Sequence, residues 1–282
     1  MSSFNFARAK QNAVKDLSND KLGLLVLAQG GDGKSTLCGT FGVATLLLYF
    51  QGESHGILSA KSMGGNVDAI RLDLDDDGNK LGADQTYDRL LAILGDTDGV
   101  REAGYQAVVV DSLSELESVI RATQKFKVAC QTDKGTHNSF AEGNAVIGLM
   151  RGVFTRLKDL QLNLGIHFAC TCPLNVVSKE DNGEIAEASP KLSTYSVAEN
   201  VVLQFADIVT VGRMVNKEGK AAHRIQFGTS VSKESKTANG TVKKFLQFSP
   251  RLAGVMELPS HMAADLSKLA ELKAKGVNNG KA

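Results

Sequence analysis

A glycine-rich segment early in the chain has the residue types that bind a phosphate group. Its residues are Ala28, Gln29, Gly30, Gly31, Asp32, Gly33, Lys34, Ser35 and Thr36. They match the P-loop pattern except that Ala28 replaces the first glycine. Glycines allow the backbone to turn so that successive N–H groups converge on phosphate oxygens. Lys34 would reach the β- and γ-phosphates and the Ser35 hydroxyl would bind Mg²⁺, so the segment predicts a site for a nucleotide and magnesium.

A second candidate residue is the acid that ends the most compact β-branched run of the chain. Residues 107–110 (Ala-Val-Val-Val) predict a buried strand, and Asp111 follows directly. Open α/β sheets bind their ligands at the carboxyl ends of the strands. The position predicts that Asp111 holds Mg²⁺, directly or through water.

An acidic segment offers an alternative metal site. Asp73, Asp75, Asp77, Gly78 and Asp84 fall at positions 1, 3, 5, 6 and 12 of an EF-hand calcium loop. The last position, however, lacks the longer bidentate Glu, and Lys80 occupies a place that is usually apolar. The pattern therefore favours a solvated acidic loop.

Apolar periodicity predicts strands that alternate with helices in the first 170 residues. The expected strands there are residues 22–27, 55–60, 107–110 and 164–171. The expected helices are a segment that runs from the glycine-rich loop to about Phe50, one around Leu90 and Leu94, and residues 113–130 and 140–162. Residues 131–139 and 173–196 are predicted to be polar loops, the second of them a possible mobile element.

The last third of the chain has a different pattern. Residues 205–215 and 222–227 flank Asn216-Lys217-Glu218-Gly219 and predict a hairpin; residues 241–248 predict a further strand. A lysine-bearing helix is expected from about His261. The fold class expected is α/β, a mainly parallel sheet with helices on both faces and antiparallel strands at one edge. Residues 1–20 would form an arm, 21–250 the core, and 251–282 a helix and tail.

Composition excludes several classes of protein. The 282 residues carry a net charge of +1, which excludes binding of nucleic acid by bulk attraction alone. Four cysteines are too few and too scattered for a disulfide framework. No segment predicts a membrane span, so we expect a reducing, cytoplasmic setting.

Two of these motifs resemble those of the RecA-like P-loop ATPases carried by phages, a group that includes the core-only single-strand annealing proteins. They are residues 28–36 and residues 105–116, the second reading Tyr-Gln-Ala-Val-Val-Val-Asp-Ser-Leu-Ser-Glu-Leu. Looser similarities follow in the same order at residues 157–160, 190–192 and 205–209. The resemblance spans about residues 20–250 and implies a RecA-like fold that binds ATP and Mg²⁺.

The resemblance also implies roles for individual residues. Lys34 and Ser35 would contact phosphate and Mg²⁺, and Asp111 would be the Walker B acid. Thr171 would sit where these proteins keep a polar sensor of the γ-phosphate. Lys233 or Lys236 would reach the nucleotide of a neighbouring subunit. A head-to-tail homo-oligomer on single-stranded DNA, in a phage and hence in host cytoplasm, is the setting implied.

One departure from that family affects catalysis. Its members usually keep a glutamate near the end of the strand after the P-loop helix, where it orients the attacking water. With that strand expected at residues 55–60, the stretch is Leu58-Ser59-Ala60-Lys61 and has no acid. Glu53 and Glu115 are the possible substitutes. Slow hydrolysis is therefore expected, because a missing base lowers turnover without affecting binding.

Two other functions remain open at the level of sequence. The glycine-rich segment is also similar to the deviant P-loop of ParA/MinD-type partition ATPases, although Gln29 stands where those proteins have a signature lysine. A partition-type switch would dimerise on ATP and bind duplex DNA or a partner protein. The third possibility is a structural or assembly module that binds nucleotide without useful hydrolysis.

Overall fold

The elements below come from a computed structural model of the chain. It describes residues 21–38, 43–53, 56–57, 66–132, 134–179, 185–192, 205–206, 208–217, 220–227, 235–236, 242–243 and 254–259. The strands are β1 (Gly23–Ala28), β2 (Thr45–Tyr49), β3 (Val67–Arg71), β4 (Ala107–Asp111), β5 (His167–Lys179), β6 (Ile185–Pro190), β7 (Ile208–Lys217), β8 (Lys220–Phe227), β9 (Ser235–Lys236), β10 (Val242–Lys243) and β11 (Gly254–Pro259). The helices are α1 (Lys34–Cys38), α2 (Ala83–Gly95), α3 (Thr97–Glu102), α4 (Leu113–Ala122), α5 (Gln124–Ala129) and α6 (Glu142–Leu164). Short 3₁₀ helices cover Gln51–Glu53 and Ser139–Ala141.

One large sheet forms the centre of the fold, with the strand order β11-β8-β7-β1-β5-β4-β2-β3. Parallel pairing joins β7, β1, β5, β4, β2 and β3. Antiparallel pairing adds β8 and β11 at the β7 end and joins β6 to the outer part of β5. The α/β class, with a mainly parallel sheet and antiparallel strands at one edge, is therefore confirmed.

The central strands are apolar because both of their faces are covered. Every residue of β1 and of β4 is buried. Strands covered on both faces lose the alternation of polar and apolar residues and become continuous apolar runs. This is why β1 and the first four residues of β4 were recognisable from the sequence.

Helices pack on both faces of the sheet. On one face, Leu37 and Cys38 of α1 pack in a core cluster with Val26, Val109 and Ala169. On the other face, the helices that follow β3 and β4 and the long helix α6 contribute to a larger cluster, for example through Leu90, Leu116 and Phe154. The connection after β1 thus begins on one face and the connection after β4 on the other.

The second strand is the main error of the sequence analysis. The helix expected to run to about Phe50 is wrong, because α1 is described only to Cys38 and Thr45–Tyr49 is a buried strand. The strand expected at residues 55–60 is wrong as well. Gly56 and Ile57 are helical, and the other four residues lie outside the described ones. A short apolar run does not distinguish a buried strand from a buried helix by periodicity, and leucines favour the helical interpretation.

Two further expectations are corrected. The helix expected at 113–130 is two helices, because Thr123 adopts an extended backbone and its hydroxyl accepts a hydrogen bond from Phe126 N, which starts α5. The loop expected at 173–196 is largely strand, since β5 continues to Lys179 and pairs with β6. Polar composition and Pro190 indicated a loop, yet Pro190 is the last residue of β6 and pairs with Leu174 of β5.

The remaining predicted elements are mostly confirmed. The helix around Leu90 and the long helix ending near Leu162 are α2 and α6, and the predicted hairpin is β7–β8. Of the strand expected at 241–248, only β10 belongs to the described residues. The helix expected from about His261 lies outside them. In the described parts of the chain, no helix combines the length and apolar character needed to cross a bilayer.

Candidate functional site

The glycine-rich segment forms a tight loop between β1 and α1. Asp32 N donates to Gln29 O at 3.2 Å, which closes the first turn of the loop. Gly31 and Gly33 have φ angles of 84° and 75°, a region that side chains with a Cβ rarely adopt. Leu37 N donates to Gly33 O at 2.8 Å, which starts the helix. The strand and the turn predicted around this segment are confirmed, as is the start of a helix directly after it.

Two side chains of α1 are buried beneath the loop. Lys34 is 8% exposed, and its Nζ donates to the carbonyl oxygen of Gln29 at 3.3 Å, so the ammonium group lies back against the loop. Ser35 is 6% exposed. Gly56 approaches it so closely that a Cβ built there would lie 2.2 Å from the Ser35 Cβ. Thr36 belongs to α1, but its side chain lies outside the description.

The predicted acid and the predicted sensor residue lie beside each other on adjacent strands. Val110 pairs with Cys170, so Asp111 and Thr171 are the next residues along β4 and β5. The Thr171 hydroxyl donates a hydrogen bond to Oδ1 of Asp111, and both residues are completely buried. Thr171 pairs with Val26 on its other side, which places β5 between Asp111 and the strand that leads into the glycine-rich loop.

Asp111 and Thr171 lie on the α1 face of the sheet. Side chains two residues apart in a strand share a face, and Val109 and Ala169 pack against α1. The electrostatics agree. Burial raises the pKa of the Cys38 thiol in α1, the nearby Asp111 carboxylate raises it further, and Lys34 acts in the opposite direction. Lys34 and Asp111 are therefore both close enough to Cys38 to act on the pKa of its thiol.

The position after β2 changes the search for a catalytic acid. Because the second strand is Thr45–Tyr49, the residues that follow it are Phe50, Gln51, Gly52 and Glu53. The absence of an acid at this place, expected from the sequence, is therefore wrong. Glu53 is the last residue of the 3₁₀ helix at the carboxyl end of β2. The sequence analysis did not place Glu53 after the second strand, because it assigned the apolar run at Thr45–Tyr49 to a helix.

Glu115 lies at the same edge of the sheet. A Cβ built on Gly52 would be 3.6 Å from Cδ and from Oε1 of Glu115. The half-buried Glu115 carboxylate thus lies against the 3₁₀ helix that contains Glu53. Glu53 in the backbone that follows β2 and Glu115 in the first turn of α4 thus both belong to the carboxyl ends of neighbouring strands.

The carboxylates of the acidic segment accept hydrogen bonds from neighbouring groups of the protein. Both oxygens of Asp73 accept hydrogen bonds from Arg71 at 2.8 Å, and these bonds lower the pKa of Asp73. Asp75 accepts from the backbone of Asp77 and from Asn79. Asp84 accepts from the backbone N of Gln124, 40 residues away. These five residues do not form a ligand ring in the structure.

The two lysines expected to reach a neighbouring subunit were Lys233 and Lys236. Lys233 lies outside the described residues, and Lys236 belongs to β9, in a separate two-stranded sheet with β10. Across the described ranges there is no group of three or more His, Cys, Asp and Glu side chains that could hold a metal ion.

Comparisons with known proteins do not add to this description. No protein-family model matches the chain, and no curated protein matches it. The fold and site define the chain as an α/β protein with a mainly parallel sheet and a glycine-rich loop at the carboxyl end of a central strand.

Proposed function

We propose that this chain is a RecA-like protein that binds ATP with Mg²⁺ and hydrolyses it. One observation carries the proposal. The glycine-rich loop after β1 and the acid at the end of β4 lie at the same edge of the sheet, both on the α1 face. Open α/β sheets form a crevice for ligands where neighbouring connections leave the sheet on opposite faces. The connections after β1 and β4 leave this sheet on opposite faces.

The loop suits a chain of phosphates. Among the residues that the structure describes, no other atom lies within 4 Å of a Cβ built on Gly30 or Gly31, which leaves room for a ligand on that side of the loop. Backbone N–H groups in such a turn form a concave anion site. Lys34 is held beneath the loop by its hydrogen bond to Gln29, and its charge would offset that of the β- and γ-phosphates.

The polar residues also suit magnesium. This ion is commonly held by one or two protein oxygens together with substrate phosphates and water, so a cage of protein ligands is not required. Ser35 and Asp111 are the residues that would hold it. When bound with the nucleotide, Mg²⁺ would neutralise charge that develops on the phosphate oxygens.

Hydrolysis requires a group that orients water, and the carboxyl end of β2 supplies a candidate. Glu53 occupies the place at which the RecA-like resemblance implies a glutamate. Glu115 lies against the same short helix. This placement removes the main argument for a static nucleotide-binding module, which was the apparent lack of an acid. We therefore propose Glu53 as the residue that orients the water.

Replacement of Lys34 tests the nucleotide site. Binding of a fluorescent ATP analogue and release of phosphate would be measured for the wild type, for Lys34→Ala and for Lys127→Ala. Lys127 is an exposed lysine on α5 and serves as the matched control. We expect Lys34→Ala to weaken binding at least about tenfold, because it removes charged hydrogen bonds. Equal binding by the two variants would contradict the proposal.

We further propose that the protein acts on single-stranded DNA as a homo-oligomer, the role that the resemblance implies. The segment after α5 supports this. It forms a tight hairpin closed by the pairing of Gln131 with His137, and its turn contains Lys134. Phe140 follows and is 94% exposed. Single-strand binding commonly combines basic residues with aromatic side chains on which bases stack.

Fluorescence anisotropy with a labelled single strand tests the DNA role. We expect binding that ATP strengthens and salt weakens, and that Phe140→Ala weakens about tenfold. Leu162→Ala is the control, since Leu162 is another exposed apolar residue, on α6. Salt-insensitive binding, or none, would contradict the DNA role and leave the nucleotide site unaffected.

Sizing chromatography with a non-hydrolysable analogue separates an open-ended oligomer from the discrete dimer of a partition ATPase.

A further inference from the structure

The Thr171 hydroxyl has one hydrogen, which it donates in a hydrogen bond to Asp111 in this structure. The donor and the acceptor are each 0% exposed, and they lie side by side on β5 and β4. A hydroxyl group can donate only one hydrogen bond at a time, although its oxygen can still accept others. While it donates to Asp111 Oδ1, Thr171 cannot donate to a phosphate oxygen.

A buried carboxylate also depends on such a donor. Removing a carboxylate from water without hydrogen bonds is costly, and a hydrogen bond to a charged group is stronger than one between neutral groups. The bond fixes Oδ1 toward β5. It thereby limits the rotation of the Asp111 carboxylate on the face of the sheet against which α1 packs.

We propose that Thr171 is a positioning residue that orients the Asp111 carboxylate for Mg²⁺, rather than a sensor of the γ-phosphate. The inference rests on the proposed function, since it requires that Asp111 holds the ion. Loss of the hydroxyl would leave Asp111 in place but would remove one of the groups that orient its carboxylate. Metal affinity would then fall, whereas the contacts between the loop and the phosphates would remain. Residues behind a metal ligand typically change metal affinity by 10–100-fold.

The chain offers a close control for this residue. Thr210 on β7 lies in the same row of the sheet, because Val26 pairs with Thr171 on one side and with Thr210 on the other. Thr210 is also completely buried, and its hydroxyl donates to the carbonyl oxygen of Leu25 at 3.4 Å. Replacement of either threonine by valine removes one buried hydroxyl from the same layer of the fold.

The experiment compares Thr171→Val, Thr171→Ser and Thr210→Val by equilibrium titration. A fluorescent, non-hydrolysable ATP analogue is bound first in EDTA and then at increasing magnesium chloride. We expect Thr171→Val to raise the Mg²⁺ midpoint about tenfold and to leave binding in EDTA unchanged. Thr171→Ser, which keeps the donor, should stay close to wild type, and so should Thr210→Val. Binding of the corresponding ADP analogue tests whether the γ-phosphate is sensed.

Other results would overturn the inference. An unchanged Mg²⁺ midpoint in Thr171→Val, with ATP and ADP analogues now bound equally, would indicate a sensor. Equal effects of the two valine replacements would indicate loss of stability alone. If Thr171→Val does not fold, Thr171→Cys gives the same comparison, because its thiol is a weaker donor. A wild-type protein that binds neither analogue at any Mg²⁺ concentration would refute the proposed function itself, and this inference with it.

Discussion

The ammonium group of Lys34 lies 3.3 Å from the carbonyl oxygen of Gln29, five residues earlier in the chain. This hydrogen bond ties the first turn of α1 to the start of the glycine-rich loop. The shape of the loop is therefore held before any ligand arrives. The positive φ angles of Gly31 and Gly33 also contribute to that shape.

Gly30 and Gly31 provide a matched test of this point. A Cβ at either position meets no atom within 4 Å, but Gly31 alone of the two has a positive φ, 84°. We expect Gly31→Ala to lower the free energy of unfolding by about 1–2 kcal/mol, because the left-handed region is unfavourable for alanine. Gly30→Ala should leave it nearly unchanged. Urea unfolding measures both, and equal losses would contradict the assignment of strain to Gly31.

Replacement of Glu53 distinguishes the acids at the carboxyl end of β2. We expect Glu53→Gln to lower ATP turnover by about 100-fold or more, since a group that orients or activates water contributes 10²–10⁴-fold. Binding of the fluorescent analogue should not change. Glu115→Gln is the matched variant, because it removes the other carboxylate, which lies against Gly52. If only Glu115→Gln abolished turnover, the roles of the two acids would be reversed.

The close approach of Gly56 to Ser35 predicts a sterically sensitive position. A Cβ on Gly56 would lie 2.2 Å from Ser35 Cβ and 2.5 Å from its Oγ, so the serine or the segment must move. We expect Gly56→Ala to weaken Mg²⁺-dependent nucleotide binding by displacing the hydroxyl. The control is Gly148→Ala in α6, where no atom lies within 4 Å and alanine favours the helix. Unchanged Mg²⁺ dependence in Gly56→Ala would contradict this role of Ser35.

The pair of Arg71 and Asp73 predicts a pH dependence of stability. Hydrogen bonds from Arg71 hold the pKa of Asp73 below its usual value of 3.8. A carboxyl group whose pKa is lowered by folding stabilises the protein above its unfolded pKa, and this contribution is lost as the pH falls. Wild type should therefore be more stable than Asp73→Asn at pH 6, and the difference should narrow as the pH drops below about 4. Urea unfolding at several pH values measures this, and a constant difference would contradict it.

The sequence predicted the parts of the site that depend on local residue types. Three glycines followed by Lys34 and Ser35 require a turn and a helix, and a run of valines before Asp111 requires a buried strand. Thr45–Tyr49 was missed because its leucines are good helix formers, and burial on both sides within the sheet overrides that preference. As a consequence, Glu53 was not recognised as the acid that follows the second strand. The bond between Thr171 and Asp111 depends on the pairing of β4 with β5, which no local pattern specifies.

The position of β1 in the sheet affects the order in which the protein can fold during its synthesis. Its neighbours in the described sheet are β5 and β7, and both begin after residue 166. The glycine-rich loop is therefore synthesised early, while the strand that supports it gains its hydrogen-bonded neighbours only late in translation. A fragment that stops before residue 167 would contain every residue of the loop and of the β4 acid, yet it would lack the strand that aligns them. Long-range pairing of this kind slows folding, and the site therefore forms only after β5 and β7 have joined β1 in the sheet.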